Sequence, residues 1–259
     1  MSLSAEKPLR VLVTAAGGGA GKVIATRFAR AGARVVACDV DAAGLQSLEA
    51  DIPGTKGIKA DVGDERALAS VFDHINSAFG GLDVLVNNVG IAGPTAAAED
   101  VSLADWNESL RVNLTSHFLC ARAAIPAMKA QGGGLIVNIS SGSAKVGLPM
   151  RLPYVVTKGA VLSMTTNLAR ELGPFGIRVN AILPGAIRGP RIERVIKAKA
   201  EALGVDPKEH EKSMLRYISM RTMVEPDDIA AMIEFLASPS GSRVSGQLIG
   251  VDGNIEWEE

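Results

Sequence analysis

Charge of one sign is what this sequence most plainly lacks: 27 Lys and Arg stand against 28 Asp and Glu, a formal net charge of -1 at pH 7. Such a chain makes no field that gathers nucleic acid or an anionic membrane, and neither partner is expected. Cysteine is scarce as well, with Cys38 and Cys120 each inside an apolar stretch. Two buried free thiols are expected in place of a disulfide framework, which fits a reducing compartment. No apolar run approaches the ~18 residues of a membrane helix, and residues 1–8 lack the continuous apolar stretch of a secretory signal. A soluble, cytoplasmic protein is the expectation. His74, His117 and His210 are widely separated, without metal-ligand spacing to a carboxylate or cysteine, so no metal site is expected.

What the chain does have is alternation. Short apolar runs rich in β-branched residues (9–14, 34–39, 57–60, 82–86, 135–140, 177–183 and 247–251) alternate with amphipathic helical patterns, among them 22–30, 103–131, 154–172 and 226–236. That pattern predicts an α/β fold: a three-layer, doubly wound parallel sheet (Rossmann fold) of about seven strands with helices on both faces. No linker or repeat divides the chain, so residues 1–259 are read as one domain. Residues 186–222 follow a strand end yet carry Arg, Lys and Glu at helical spacing, which predicts an inserted lid over a binding site.

After the first strand comes Thr14-Ala15-Ala16-Gly17-Gly18-Gly19-Ala20-Gly21, with a helix to follow. In a strand–turn–helix setting such glycines let backbone N–H groups and a helix N-terminus approach a pyrophosphate. Asp39 closes the second strand, where a carboxylate can accept hydrogen bonds from the adenosine ribose hydroxyls and would repel a 2′-phosphate. NAD is therefore expected over NADP. The plainer reading of Asp39 is a cap, with Asp41, for the next helix.

Tyr154 and Lys158 stand four residues apart, on one helix face about one turn from each other. A free phenol titrates near pH ~10 and is a poor base at neutrality, but a neighbouring cation stabilises the phenolate. Alone, the pair could be an ordinary solvated helix face. Ser140 and Ser141 change its weight, because they close a strand at the carboxyl end where doubly wound sheets bind ligands, and a hydroxyl there can hold a substrate oxygen.

From about Leu9 onward the chain resembles the short-chain dehydrogenase/reductase family. The family's glycine motif is similar to residues 14–21, its adenine-pocket Asp-Val to Asp61-Val62, and its Asn-Asn-Ala-Gly to Asn87-Asn88-Val89-Gly90. Its four catalytic positions resemble Asn113, Ser141, Tyr154 and Lys158, and its Pro-Gly resembles Pro184-Gly185. The resemblance implies an NAD-dependent oxidoreductase that moves a hydride between NAD(H) and a secondary alcohol or ketone. Ser141 would orient and polarise the carbonyl, Tyr154 exchange its proton, and Lys158 also hold the nicotinamide ribose. Asn113 would support a water relay to solvent. The cofactor would lie along Ala15, Gly18, Gly19, Ala20, Gly21, Asp39, Asp61, Val62, Asn88, Gly90, Tyr154, Lys158, Pro184, Gly185 and Ile187. The family also implies a homotetramer; the apolar faces of Leu110, Leu114, Phe118 and Ala121, and of Val161, Leu162 and Leu168, read first as core.

Three departures from the family's pattern stand out. Ala15 replaces a glycine in the turn and, since alanine resists positive φ, is expected to keep to an allowed conformation. Val89 replaces alanine, with packing expected to compensate. Gly189 stands where a threonine often contacts the carboxamide. Arg151, Arg188, Arg191, Arg194 and Lys197 could clamp an anionic substrate, but a solvated helix with Glu193 as partner is preferred. Two rivals to the hydride-transfer reading are an NADPH-dependent 3-oxoacyl-carrier-protein reductase, which would want basic residues near Asp39, and a catalytically silent NAD sensor.

Overall fold

A computed structural model of the chain describes residues 7–255. The end residues read above for a signal run, 1–6, lie outside the described residues, as do 256–259. Seven parallel strands form one sheet: β1 (Arg10–Thr14), β2 (Arg34–Asp39), β3 (Thr55–Lys59), β4 (Val84–Asn87), β5 (Gly134–Ile139), β6 (Ile177–Pro184) and β7 (Leu248–Val251). Their order is β3-β2-β1-β4-β5-β6-β7, so the winding reverses between β1 and β4. Ligands in such sheets bind outside the strand ends at that switch point.

Side chains alternate across each strand, and here both faces are covered, which is why the strands read as near-continuous apolar runs. Val11 and Val13 pack with Ile24 and Phe28 of α1 (Gly19–Arg30), Leu48 of α2 (Ala42–Asp51) and Ile233 of α10 (Pro226–Ala237). Leu12 and Val36 face the other way, toward Val71 and Ile75 of α3 (Glu65–Phe79) and Cys120 and Met128 of α5 (Ser116–Ala130). Cys38 and Cys120 are both buried free thiols. No helix among the described residues is long and apolar enough to cross a membrane.

The helix expected over 103–131 is broken. It runs as α4 (Leu103–Leu110), a π-helical turn over Arg111–Thr115, and then α5. The strand expected over 57–60 begins earlier, at Thr55, because β3 is an edge strand with Lys56 and Lys59 exposed and its apolar signal is weak. Between β5 and β6 lie a short turn of helix, α6 (Ser143–Val146), and the long α7 (Leu152–Leu172). Residues 186–222 fold as two helices, α8 (Pro190–Leu203) and α9 (Pro207–Leu215), with Ile187 bridged to Val224.

Candidate active site

The glycine turn is built from β1 and β4 together. Thr14 Oγ1 accepts from the N–H groups of Asn88 (3.0 Å) and Val89 (3.2 Å), while Asn88 Nδ2 donates to the carbonyls of Thr14 and Ala15, each at 3.1 Å. Asn88, expected to line the adenosine side, thus spends its amide nitrogen on the turn. Ala15 takes φ +52, so it does enter the left-handed region it was expected to resist. That conformation costs an alanine roughly 1–2 kcal/mol, which the two Asn88 bonds offset. Gly21 packs so tightly under the turn that a Cβ there would strike Ala15 O and lie 2.6 Å from Asn88 Nδ2.

Above the turn the geometry opens. A Cβ on Gly18 or Gly19 would meet nothing within 4 Å, no side chain caps α1, and its first turn carries no acid. Free N–H groups at an uncapped helix start, with open space over them, fit a pyrophosphate. Asp39 Oδ2 accepts from the Gly17 N–H at 2.8 Å and Oδ1 from the Asp41 N–H at 3.0 Å. Asp41, not Asp39, caps α2, accepting from Ala43 and Gly44. The capping alternative for Asp39 therefore fails, and its remaining lone pairs stay available beside the turn. Asp61 accepts from Gly63 N and from Arg111 Nη1, both at 2.8 Å, a partner that nothing in the sequence singled out; Val62 beside it is buried.

Beyond the end of β4, the π-helical turn presents Asn113, fully buried, whose Oδ1 accepts from Ile91 N (2.7 Å) and whose Nδ2 donates to Ile91 O (3.1 Å) and Thr157 Oγ1 (3.2 Å). A Cβ on Gly90 would stand 3.2 Å from both Asn113 Oδ1 and Lys158 Nζ, so Asn113, Gly90 and Lys158 meet at one point. Lys158 is buried and donates from Nζ to Ile139 O at 2.7 Å, and Nζ lies 6.0 Å from the Tyr154 ring centre. Burial first, and then the charge of Arg191, push the Lys158 ammonium down to about 7. Tyr154 itself is half-buried.

The two serines at the end of β5 are told apart by their partners. Ser140 Oγ donates to Lys158 O at 2.8 Å and straps α7 to the sheet. Asn138 Nδ2 does the same through Thr165 Oγ1 at 2.9 Å. Ser141 instead accepts from Ser143 Oγ at 2.9 Å, a neighbour sequence reasoning missed, and the next residue, Gly142, donates to Pro184 O at 3.1 Å. The run that follows Pro184 is ordered by Gly185 N donating to Val251 O and Arg188 N to Val224 O. Gly189 has φ +141, which a threonine would resist, so the family's usual residue does not suit this lid.

Val89 is partly buried against the core, as compensation for its extra methyls required. Its carbonyl lies 3.0 Å from Nε2 of His117, which is fully buried and whose Nδ1 has no partner among the described residues. Burial, with the charge of Lys158 adding to it, pushes His117 down to about 3. An unfolded histidine takes up its proton near pH ~6.5, whereas this one stays neutral, so the unfolded state binds more protons and stability falls as pH drops below 6.5. Between pH 6.5 and about 4 the loss should be about 3 kcal/mol from this residue, read as a lower urea midpoint. A His117→Gln variant should show a shallower acid slope than the parent; an identical slope would remove His117 from the account.

Arg188 pairs with Glu225 across the segment's end at 2.7 Å, not with Glu193. Arg191 is exposed, yet it turns toward the site: its guanidinium carbon is 6.0 Å from the Tyr154 ring centre and Nη1 donates to Gly90 O at 3.2 Å. Arg151 stands on the same ring at 5.5 Å. Arg191, Arg194 and Lys197 are all exposed, as a solvated helix requires, but none pairs with Glu193 among the described residues, and Arg191 alone of these reaches the Tyr154 ring.

Comparison with known proteins agrees with this fold. A family model described as Enoyl-(Acyl carrier protein) reductase matches residues 15–254. The 7alpha-hydroxysteroid dehydrogenase of Escherichia coli is 35% identical over 246 residues, covering 93% of this chain and 92% of its own. A 3-oxoacyl-[acyl-carrier-protein] reductase of Thermotoga maritima is 34% identical over 249 residues, covering 94% and 96%. Among solved structures, an NAD+-bound xylitol dehydrogenase superposes with a TM-score of 0.90 at 30% identity, over 95% of this chain and 98% of that one.

Proposed function

The chain belongs to the short-chain dehydrogenase/reductase family and is an oxidoreductase acting on CH–OH groups, and on that premise we propose that it interconverts a small secondary alcohol and its ketone with NAD(H). The observation that carries this reading is the burial of Lys158 one helical turn from Tyr154, with Gly90 and Asn113 against its ammonium. With that ammonium on the same helix face, Tyr154 is placed to exchange a proton with the substrate oxygen. Ser141 holds and polarises the same oxygen, and Asn113 supports a water relay from Lys158 to solvent. The dinucleotide, when bound, supplies the two-electron redox chemistry. Ala15, Gly18, Gly19, Ala20, Gly21, Asp39, Asp61, Val62, Asn88, Gly90, Pro184, Gly185 and Ile187 would hold it, with Lys158 on the nicotinamide ribose. Helices α8 and α9 serve as the lid over the substrate.

The test is a panel of polyols, sugars, hydroxy acids and cyclic alcohols, followed by NADH absorbance with NADP+ as control. Turnover with NAD+ is expected, and failure with every alcohol in the presence of bound NAD+ would return the silent-sensor reading. Asp39→Ser should lower the NAD+ over NADP+ preference in kcat/KM by at least about tenfold, since a carboxylate facing a 2′-phosphate costs more than ~1.4 kcal/mol. Equal use of both cofactors by the parent would overturn the NAD assignment. The second reading, a 3-oxoacyl-carrier-protein reductase, draws on the Thermotoga relative; it predicts acetoacetyl thioester reduction with NADPH, against which Asp39 argues.

We also propose a homotetramer. Phe118 on α5 and Leu152 and Val156 on α7 remain exposed at 49%, 41% and 38%, on the two helices the family uses to dimerise, whereas Ala121 and Val161 are spent in the core. A stable monomer by light scattering would end that assignment. A reducing cytoplasm agrees with the buried free thiols Cys38 and Cys120.

A further inference from the structure

Arg151 is the least expected charge in the molecule. It opens α7 three residues before Tyr154 and is only 5% exposed. Its Nη2 donates to Ala92 O at 2.6 Å, but its Nε is buried without any partner among the described residues. Arg191 reaches the same tyrosine ring from α8, and the half-buried Lys199 follows two turns along that helix. Among the described residues none of the three cations has an ion-pair partner. Burial lowers the pKa of Arg151 and of Lys199; Tyr154 acts against this at Arg151, while Arg191 pushes Arg151 down and Arg151 does the same to Lys199. His210 on α9 feels Lys199 in turn, and burial is the larger cause of its lowered pKa.

A guanidinium withdrawn from water without a carboxylate is expensive, and a fold keeps one where something else brings the negative charge. Some arginines of this chain find acids: Arg27 pairs with Asp227 and Glu234, and Arg188 with Glu225. The ones around Tyr154 do not. A guanidinium presents a planar fork that matches a carboxylate edge, and the two forks stand 5.5 and 6.0 Å from the ring whose hydroxyl would meet the reacting oxygen. We propose that Arg151 and Arg191 clamp an anionic group of the substrate, so that the substrate is a hydroxy acid. The proposal deepens the function given above and rests on it for the word substrate, though not for anion binding.

The experiment has two arms, one free of turnover. In the first, malonate and inorganic phosphate are titrated in a thermal-shift assay without cofactor. Malonate should raise Tm in the parent and lose most of that effect in Arg151→Gln and Arg191→Gln; phosphate acting as well or better would reassign the anion to a phosphoester. An equal shift in parent and variants, or no shift in the parent, would overturn the clamp. In the second, 2-hydroxybutyrate, 3-hydroxybutyrate and 4-hydroxypentanoate are each compared with their amides. The acid over amide ratio in kcat/KM should fall by roughly thirtyfold or more in Arg191→Gln, while Arg194→Gln, on the outer face of the same helix, should keep the parental ratio. Arg151→Lys, which keeps the charge and loses the fork, should also lower the ratio. Neutral alcohols turned over as well as acids would sink the clamp and leave the oxidoreductase standing. Malonate bound through Arg151 with no alcohol oxidised would do the reverse.

Discussion

Tyr154→Phe is expected to lower turnover by about 10²–10⁴-fold while NAD+ affinity stays within severalfold of the parent. The substitution deletes one oxygen and keeps the ring, against which Arg151 and Arg191 stand at 5.5 and 6.0 Å, so the packing at the head of α7 is preserved. What is lost is the acidic proton. Lys158 cannot take over, because its ammonium is buried and donates to Ile139 O, 6.0 Å from the ring centre. Ser141 cannot either, since an ordinary hydroxyl is far too weak an acid at neutrality. Steady-state rates of the two proteins, with Tm measured in parallel, decide the matter. A variant that keeps a tenth of parental kcat at unchanged Tm would remove Tyr154 from proton transfer.

Gly21→Ala should be the most damaging single methyl that can be added to the glycine turn. The new Cβ would strike the Ala15 carbonyl and crowd Asn88 Nδ2 at 2.6 Å. Neither can yield cheaply: Ala15 is already at φ +52, and Asn88 is held on both sides by Thr14. Overpacking of this kind costs about 1–3 kcal/mol, which at this chain length is a fall in Tm of roughly 3–10 °C. Because Asn88 ties β4 to β1, the distortion should spread to Gly90 and weaken NAD+ binding as well. Gly18→Ala is the matched control, with extended backbone and nothing within 4 Å of its Cβ. It should leave Tm within about 2 °C, yet weaken NAD+ at least tenfold, because the methyl enters the space left for the pyrophosphate. If Gly18→Ala binds NAD+ normally, the open space above α1 is not the phosphate site.

The difference between these two glycines could not be read from the run Gly17-Gly18-Gly19-Ala20-Gly21. Spacing shows that glycines are needed; only the approach of Ala15 O and Asn88 separates a glycine that makes room for the protein from one that makes room for a ligand. Ala15 itself misled for the same reason. Its intrinsic preference opposes positive φ, and two hydrogen bonds from a strand more than seventy residues away override that preference.

Much else was legible. Strand periods, the reversal of winding they imply, Asp39 as a carboxylate at the end of β2, and the one-turn spacing of Tyr154 and Lys158 are local properties, and local properties survive folding. The π-helical turn that buries Asn113 was not legible, since one extra residue per turn leaves no mark in an apolar pattern sustained from Leu103 onward. The split between Ser140 and Ser141 came from the family resemblance, not from their spacing. Adjacent hydroxyls at a strand end are equivalent in local pattern, and only packing of α7 makes Ser140 a strap while Ser141 is left to Ser143.

The sequence by itself determined the doubly wound sheet, the dinucleotide turn and the one-turn spacing of Tyr154 and Lys158, because each rests on short-range spacing or on alternation that burial on both faces demands. Tertiary structure alone decided the charge around that pair. Arg151 and Arg191 are forty residues apart, in a helix start and a lid, and each reads as an ordinary surface arginine until α7 and α8 bring both to one tyrosine ring with no acid beside them. Electrostatic partners are a matter of distance through space, and sequence carries no measure of it.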